Sequence, residues 1–429
     1  MSINKERFEF SVLSNDELEG LYFDILEAPQ SSKINDTRTI ADFKTTVFSG
    51  PLKSHVMSAL DKSIAEEKLE AANYWAFQLL LAGHCQTLFD RLITIAGKQI
   101  NISNPHLPTF IYKKQIEWEK LISHKKYQKP STIQIRNNQD VRHLIVEIVS
   151  MLTLSRKRKM ETIPKLKEAD FSVTFFKSKL EAQDTQMIDH ILKEDDPSEI
   201  RIAANEFLYQ LTKKNISKTL YWLGWILEWE KINTKKYKIF KVGGRYNDGI
   251  DKKWINNVIW LIWEIVNYVK KSNFEIELDC HTELNSLWNL YCHNFTIGSR
   301  SKRLIYLIWS VKFLTTPKCD WKLRLVERPQ LYFHTLANVN LMVRKIKPHE
   351  INKGIYQDEK YKIMIKDNYL MSDPNPHTNA LQIKKEQNYR KHMEKSQQKR
   401  IKEAKKKKIS IKSMDKIDQL RQIDKYANL

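Results

Sequence analysis

Glycine and proline are scarce: the 429-residue chain has 10 of one and 12 of the other. A fold of many short strands joined by tight turns needs more of both, so the composition points to helices. Cysteine is scarce as well. The four, Cys85, Cys280, Cys292 and Cys319, form no C-x-x-C pair, which excludes a disulfide framework as the reading and fits a reducing compartment. Long apolar runs are missing too. The two best, 254–269 and 304–314, contain Glu264 and Lys312 and are too short to cross a bilayer. The opening MSINKERFEF has neither the apolar centre of a signal peptide nor the bias of a transit peptide. The chain is therefore expected to be soluble and intracellular, in the cytoplasm or nucleus of a host cell or in a virion, without a membrane partner.

Recognisable chemistry is absent as well. A P-loop requires Lys and Ser/Thr after its second glycine, so that amides and an ammonium cradle the phosphates. Gly244 and Gly249 have the spacing, but Ile250 and Asp251 follow. There is no H-E-x-x-H or G-x-S-x-G. Cys280-His281 and Cys292-His293 offer zinc-type ligands, but adjacent residues point in different directions from a helix, and the short arms of zinc sites are missing. Glu194, Asp195, Asp196 and Glu199 are a conceivable divalent-metal group. Beside Pro197, at a helix start, they serve better to complement the dipole. No catalytic residue, no metal and no cofactor is expected.

What is present is aromatic and periodic. The chain has eleven Trp, 17 Tyr and 17 Phe, and the Trp residues fall mostly within periodic apolar runs, a mark of packed structure rather than disorder. Helices are predicted over 15–27, 51–66, 69–82, 85–100, 108–123, 138–154, 196–213, 215–232, 252–271, 282–294 and 300–314. Ser14 and Glu17 have capping-box spacing. Gly83 is placed as a left-handed residue closing the helix before it, and Asn104-Pro105 as a stop. The predicted organisation is a lead with one helix (1–42), a helical domain (43–125), a Trp-rich helical domain (137–345), and a polar linker with a basic arm (346–429). Residues 124–136 read as a linker. The expected fold class is all-α, built of multi-helix bundles.

Residues 58–83 align without a gap on 205–230, which sets Leu60, Ile64, Tyr74 and Trp75 over Phe207, Leu211, Tyr221 and Trp222. Two related helical halves would produce this, and so would two unrelated amphipathic hairpins.

Charge is the strongest compositional signal. There are 72 Lys and Arg against 51 Asp and Glu, a net +21. Residues 382–429 hold 16 basic and 6 acidic side chains, a net +10. Such a run repels itself and is ordinarily ordered on an anionic partner. Lys399, Arg400, Lys402, Lys405, Lys406, Lys407, Lys408 and Lys412 are its candidate phosphate ligands. Arg156, Lys157, Arg158 and Lys159 form a second candidate group. They end a predicted helix, where cations are favoured anyway; used functionally, they would neutralise phosphates or act as a localisation signal. Tyr246, in a glycine-bearing loop, is the aromatic singled out for base stacking.

HVMSALDKSI (55–64), AANYWAFQLLLAG (71–83), DRLITIAGKQI (90–100) and Asn104-Pro105 together resemble the C-terminal helical, collar-like region of clamp-loader-related AAA+ ATPases of the RarA/MgsA group. The matching residues are Ser58, Lys62, Ser63, Ile64, Ala72, Tyr74, Trp75, Gly83, Arg91, Leu92, Ala96, Ile100 and Pro105. The chain departs at Gly97-Lys98-Gln99-Ile100-Asn101, where that family carries Ser-Glu-Asp-Ile-Gly, and the ATPase module has no counterpart. The resemblance implies an oligomer-forming helical body without the motor, and no active-site residue carries over. More loosely, the whole chain resembles uncharacterised helical proteins of nucleocytoplasmic large DNA viruses.

The expectation is a non-enzymatic helical protein that binds nucleic acid without sequence preference. It would serve as an accessory factor of a replication, repair or transcription assembly, with protein partners or a second copy of itself. The alternative is an internal virion or scaffold protein whose arm packs against shell or genome. An enzyme with a divergent site is the third.

Overall fold

The computed structural model describes residues 31–122, 132–237, 241–247, 249–272, 277–316 and 318–350. The helix predicted over 15–27 and the basic arm lie outside them. Among the described residues there are fourteen α-helices, short 3-10 and π turns, and no strand; the protein is all-α. No described helix is long and apolar enough to cross a membrane.

The helices are α1 (Lys53–Ala65), α2 (Leu69–Leu81), α3 (Cys85–Ile95), α4 (Leu107–Ile122), α5 (Thr132–Asn137), α6 (Gln139–Leu154) and α7 (Val173–Ser178). They continue with α8 (Ser198–Thr212), α9 (Ile216–Tyr237), α10 (Val258–Ser272), α11 (Leu278–Cys292), α12 (Arg300–Thr315), α13 (Pro329–Ala337) and α14 (Val339–Ile346).

Two helices organise the packing. The first is α6, started by Asn138, whose side chain accepts from the Asp140 and Val141 amides at 2.9 and 3.2 Å, a standard N-cap. Its residues are apolar over most of the circumference, with Val141, Leu144, Ile145, Ile148, Val149 and Leu152 buried. A helix apolar on so many sides must be surrounded. It is enclosed by α1, α2, α3, α4, α5, α13 and α14. The second is α12, buried from Ile305 to Thr315 and packed against α8, α9, α10 and α11. Contacts of α4 with α11, and of α12 with the turn after α3, join the two groups. One apolar core runs from Ile34 to Ile346, so helices on both sides of residues 123–131 share it.

Three details differ from the sequence reading. The helix predicted over 85–100 leaves α-geometry at Ile95 and widens into a π turn over Ala96–Ile100. Gly97 explains part of this, because a Cβ there would meet Ile305 Cγ1 of α12 at 2.4 Å. The chain thus passes α12 at a distance only glycine allows. The predicted 252–271 helix starts in earnest at Val258, after a 3-10 turn at Lys252–Trp254. The stretch read as linker holds α5, whose Arg136 is fully buried. Its guanidinium donates to the carbonyls of Leu81 and Asp36, the latter at 2.8 Å, and lies 5.6 Å from the rings of both Phe43 and Phe48.

The aligned hairpins, α1–α2 and α8–α9, match in backbone. Glu67 and Lys214 occupy equivalent positions with φ of 59° and 57°. The Lys68 amide donates to Ser63 O at 2.9 Å, and the equivalent Asn215 amide donates to Gln210 O at 3.0 Å. Tyr74–Trp75 and Tyr221–Trp222 meet edge-on at 5.0 and 5.3 Å. A left-handed residue after a helix is a general stop; the shared register of Leu60 with Phe207 and Ile64 with Leu211, all buried, is the more particular part. Gly83, with φ of 82°, closes α2 as expected.

Candidate nucleic-acid interface

The basic run after α6 is pinned rather than trailing. The Arg158 amide donates to Gln99 O at 2.6 Å and the Met160 amide to Lys98 O at 2.9 Å. Asn101, itself left-handed with φ of 43°, donates its side-chain amide to Arg158 O at 2.6 Å. Residues 158–160 therefore run alongside the π turn.

This docking assigns the four predicted cations different jobs. Arg156 pairs with Glu327 at 2.9 Å. Lys157 turns inward and donates to the carbonyls of Leu152, Thr153 and Ser155 at 3.0, 2.8 and 2.5 Å, acceptors that the end of a helix leaves open. Burial pulls its pKa down to about 8. Arg158 is exposed and its backbone holds the π turn. Lys159 is exposed and faces a groove of about 700 Å³.

That groove lies between α3, the π turn, residues 159–163 and the first turns of α12, with Thr94, Lys98, Lys159, Thr162, Lys302 and Ile305 on its walls. Other charges nearby are spoken for. Arg91 is bound to Asp61 of α1, and Glu161 to the buried Lys312 of α12. Asp90 accepts from the Gln86 amide at 2.9 Å. Among the described residues Lys98, Lys159 and Lys302 have no carboxylate partner. Three ammonium groups without an ion-pair partner thus line a groove that also holds the Asp90 carboxylate.

The placement of Lys302 is informative. The first turn of α12 carries Arg300, Lys302 and Arg303 and no acidic residue. Cations there oppose the helix dipole, each by roughly 0.3–1 kcal/mol. Arg300 is compensated by Glu230 and by Asn257, the latter at 2.9 Å. Arg303 caps α11 through the carbonyls of Leu290 and Tyr291, at 3.4 and 2.5 Å. Lys302 has no such compensation, so helix stability does not account for it.

The remaining sequence candidates fall elsewhere. Lys399, Arg400, Lys402, Lys405, Lys406, Lys407, Lys408 and Lys412 lie outside the described residues. Cys280 and Cys292 are buried thiols, each pushed up to about 12 by burial, and no group of three metal-ligating side chains forms among the described residues. Asp196 does more than start a helix. Its carboxylate, 2% exposed, binds the Arg245 guanidinium at 2.9 and 2.7 Å, and Glu264 holds the same guanidinium from the other side. Next to that anchored arginine, Tyr246 is 75% exposed. Trp118, Trp222, Trp225, Trp260, Trp263 and Trp309 are core residues.

Lys98 and Lys302 were not singled out from sequence. Lys98 sits in an apolar helical run, and Lys302 is some two hundred residues away. The legible hint was three cations at the start of a predicted helix. No family model matches the chain, and comparison with curated proteins and with solved structures finds no match either.

Proposed function

We propose that this chain is a non-enzymatic, nucleic-acid-associated helical protein, an accessory factor of a replication, repair or transcription assembly that grips phosphates without reading sequence. The observation that carries the reading is the groove lined by Lys98, Lys159 and Lys302, none of them in an ion pair among the described residues, where Glu161 is held by Lys312. The net +10 of residues 382–429 supports it, because phosphate neutralisation and counterion release need only positive charge within reach. The helical body, with its likeness to a clamp-loader collar, supplies the protein-binding and self-associating surface in this reading.

The test is a salt titration of duplex binding by the full chain, by the Lys98→Ala/Lys159→Ala/Lys302→Ala variant and by a variant lacking 382–429. Each lost phosphate contact should lower the log–log salt slope by about 1, so the triple variant should lose about 3 and the truncated one more. An unchanged slope in the triple variant refutes the groove, and an unchanged slope after truncation refutes the arm.

A further inference from the structure

The lysine groove does not end at Lys302. A second cleft of about 700 Å³ opens between α3, α4 and the α11–α12 turn. It shares Asp90, Thr94, Lys302 and Ile305 with the groove, so the two are compartments of one furrow.

The second compartment has a different chemistry. Trp118, Ile93 and Ile305 give it an apolar side. Gln86, Asp90, Gln115 and Glu119 give it a row of polar groups, held in place by one another and, for Glu119, by His293. The Gln86 amide donates to Asp90 at 2.9 Å, and the Gln115 amide to Glu119 at 2.6 Å. The Trp118 indole N–H donates to Gln86 Oε1 at 3.4 Å. Tyr306 of α12 lines the same space, is 7% exposed, and among the described residues its hydroxyl has no hydrogen-bond partner. The hydroxyl is not sealed in the core but opens on the cleft, where water or an entering polar group can bond it.

We propose that this cleft receives an unstacked base from single-stranded nucleic acid whose phosphates lie on Lys98, Lys159 and Lys302. The inference rests on the phosphate-binding reading above and adds the form of the partner. Ligand sites of this size, roughly 300–1,000 Å³, are mostly apolar with a few fixed polar groups. Side-chain amides, carboxylates and hydroxyls are the groups that pair with the edges of splayed-out bases. A duplex offers its backbone to the lysines but keeps its bases stacked and paired. The cleft therefore adds affinity for single strands alone.

Anisotropy titrations at one salt concentration test this, with a mixed-sequence single strand and its duplex, on full-length protein. Tyr306→Phe keeps the ring and removes the hydroxyl; Gln115→Ala removes one amide. Each should weaken single-strand binding roughly 3- to 10-fold, the size of one hydrogen bond, and leave duplex binding and the salt slope unchanged. Tyr306→Phe should melt no lower than the parent protein, since it removes an unpaired group; a fall in melting temperature marks a structural hydroxyl and overturns the assignment. Equal losses on both nucleic acids, or none on the single strand while the lysine triple variant weakens both, also overturn it. If the triple variant binds both forms as the parent does, the phosphate-binding reading itself fails, and this inference with it.

Discussion

Arg245 illustrates how single residues hold the loops of this fold. It is 4% exposed and is clasped by Asp196 and Glu264, and its backbone amide donates to Ile255 O at 3.1 Å. Replacing it leaves a buried carboxylate uncompensated. Arg245→Ala should cost about 3–5 kcal/mol, measurable as a lower urea midpoint. The pair also makes a pH signature. Burial raises the Asp196 pKa, but Arg245 with the Lys193 and Gly243 amides outweighs it and holds the carboxyl below its ordinary value of 3.8. A depressed carboxylate contributes fully above the unfolded value and loses that contribution as pH falls through the folded one. Acid unfolding followed from pH 5 to 2 should therefore show a shallower loss in Asp196→Asn than in the parent chain. Lys157→Met should cost about 1–3 kcal/mol, because three carbonyls at the end of α6 lose their donor. A Lys157 engaged in phosphate binding, by contrast, would show its effect in nucleic-acid affinity with stability unchanged.

At the scale of elements, helices with a repeating apolar stripe were readable in advance, and those held by something else were not. Val141, Leu144, Ile145, Ile148 and Leu152 give α6 away. Gly83 marks the end of α2 because only a left-handed residue fits there. In contrast, α5 has one buried residue, the charged Arg136, and hydrophobic periodicity says nothing about such a helix. The helices α13 and α14 are nine and eight residues long, shorter than the window in which a stripe can be recognised. The π turn was invisible because part of its cause, the approach of Ile305 to Gly97, lies two hundred residues away. Gly97→Ala tests that cause. It should destabilise by about 1–3 kcal/mol through overpacking, and a companion Ile305→Val, which trims the clashing side chain, should recover part of the loss in the same thermal melts. The candidate groove follows the same rule. Lys159 was legible as part of a basic run, whereas Lys98 and Lys302 join it only because the π turn binds residues 158–160 on one side and α12 on the other.

For the whole molecule, positive charge is divided between residues 1–381 and the terminal 48 residues. Of the net +21, those residues carry +10, leaving +11 on the rest. An arm alone would give binding that rises with charge and is indifferent to strand form. A groove of fixed lysines joined to a cleft gives binding that depends on individual side chains. The two can be told apart in one experiment. After removal of 382–429, residual affinity for single strands should exceed that for duplex and should remain sensitive to Lys302→Ala.

Lys302 sits where the α12 dipole repels it, so under the proposed phosphate-binding role the free protein and a complex would make opposing demands on one side chain. Lys302→Glu should raise the melting temperature at low ionic strength while it weakens oligonucleotide capture, the trade-off between stability and activity that a binding role for this side chain predicts.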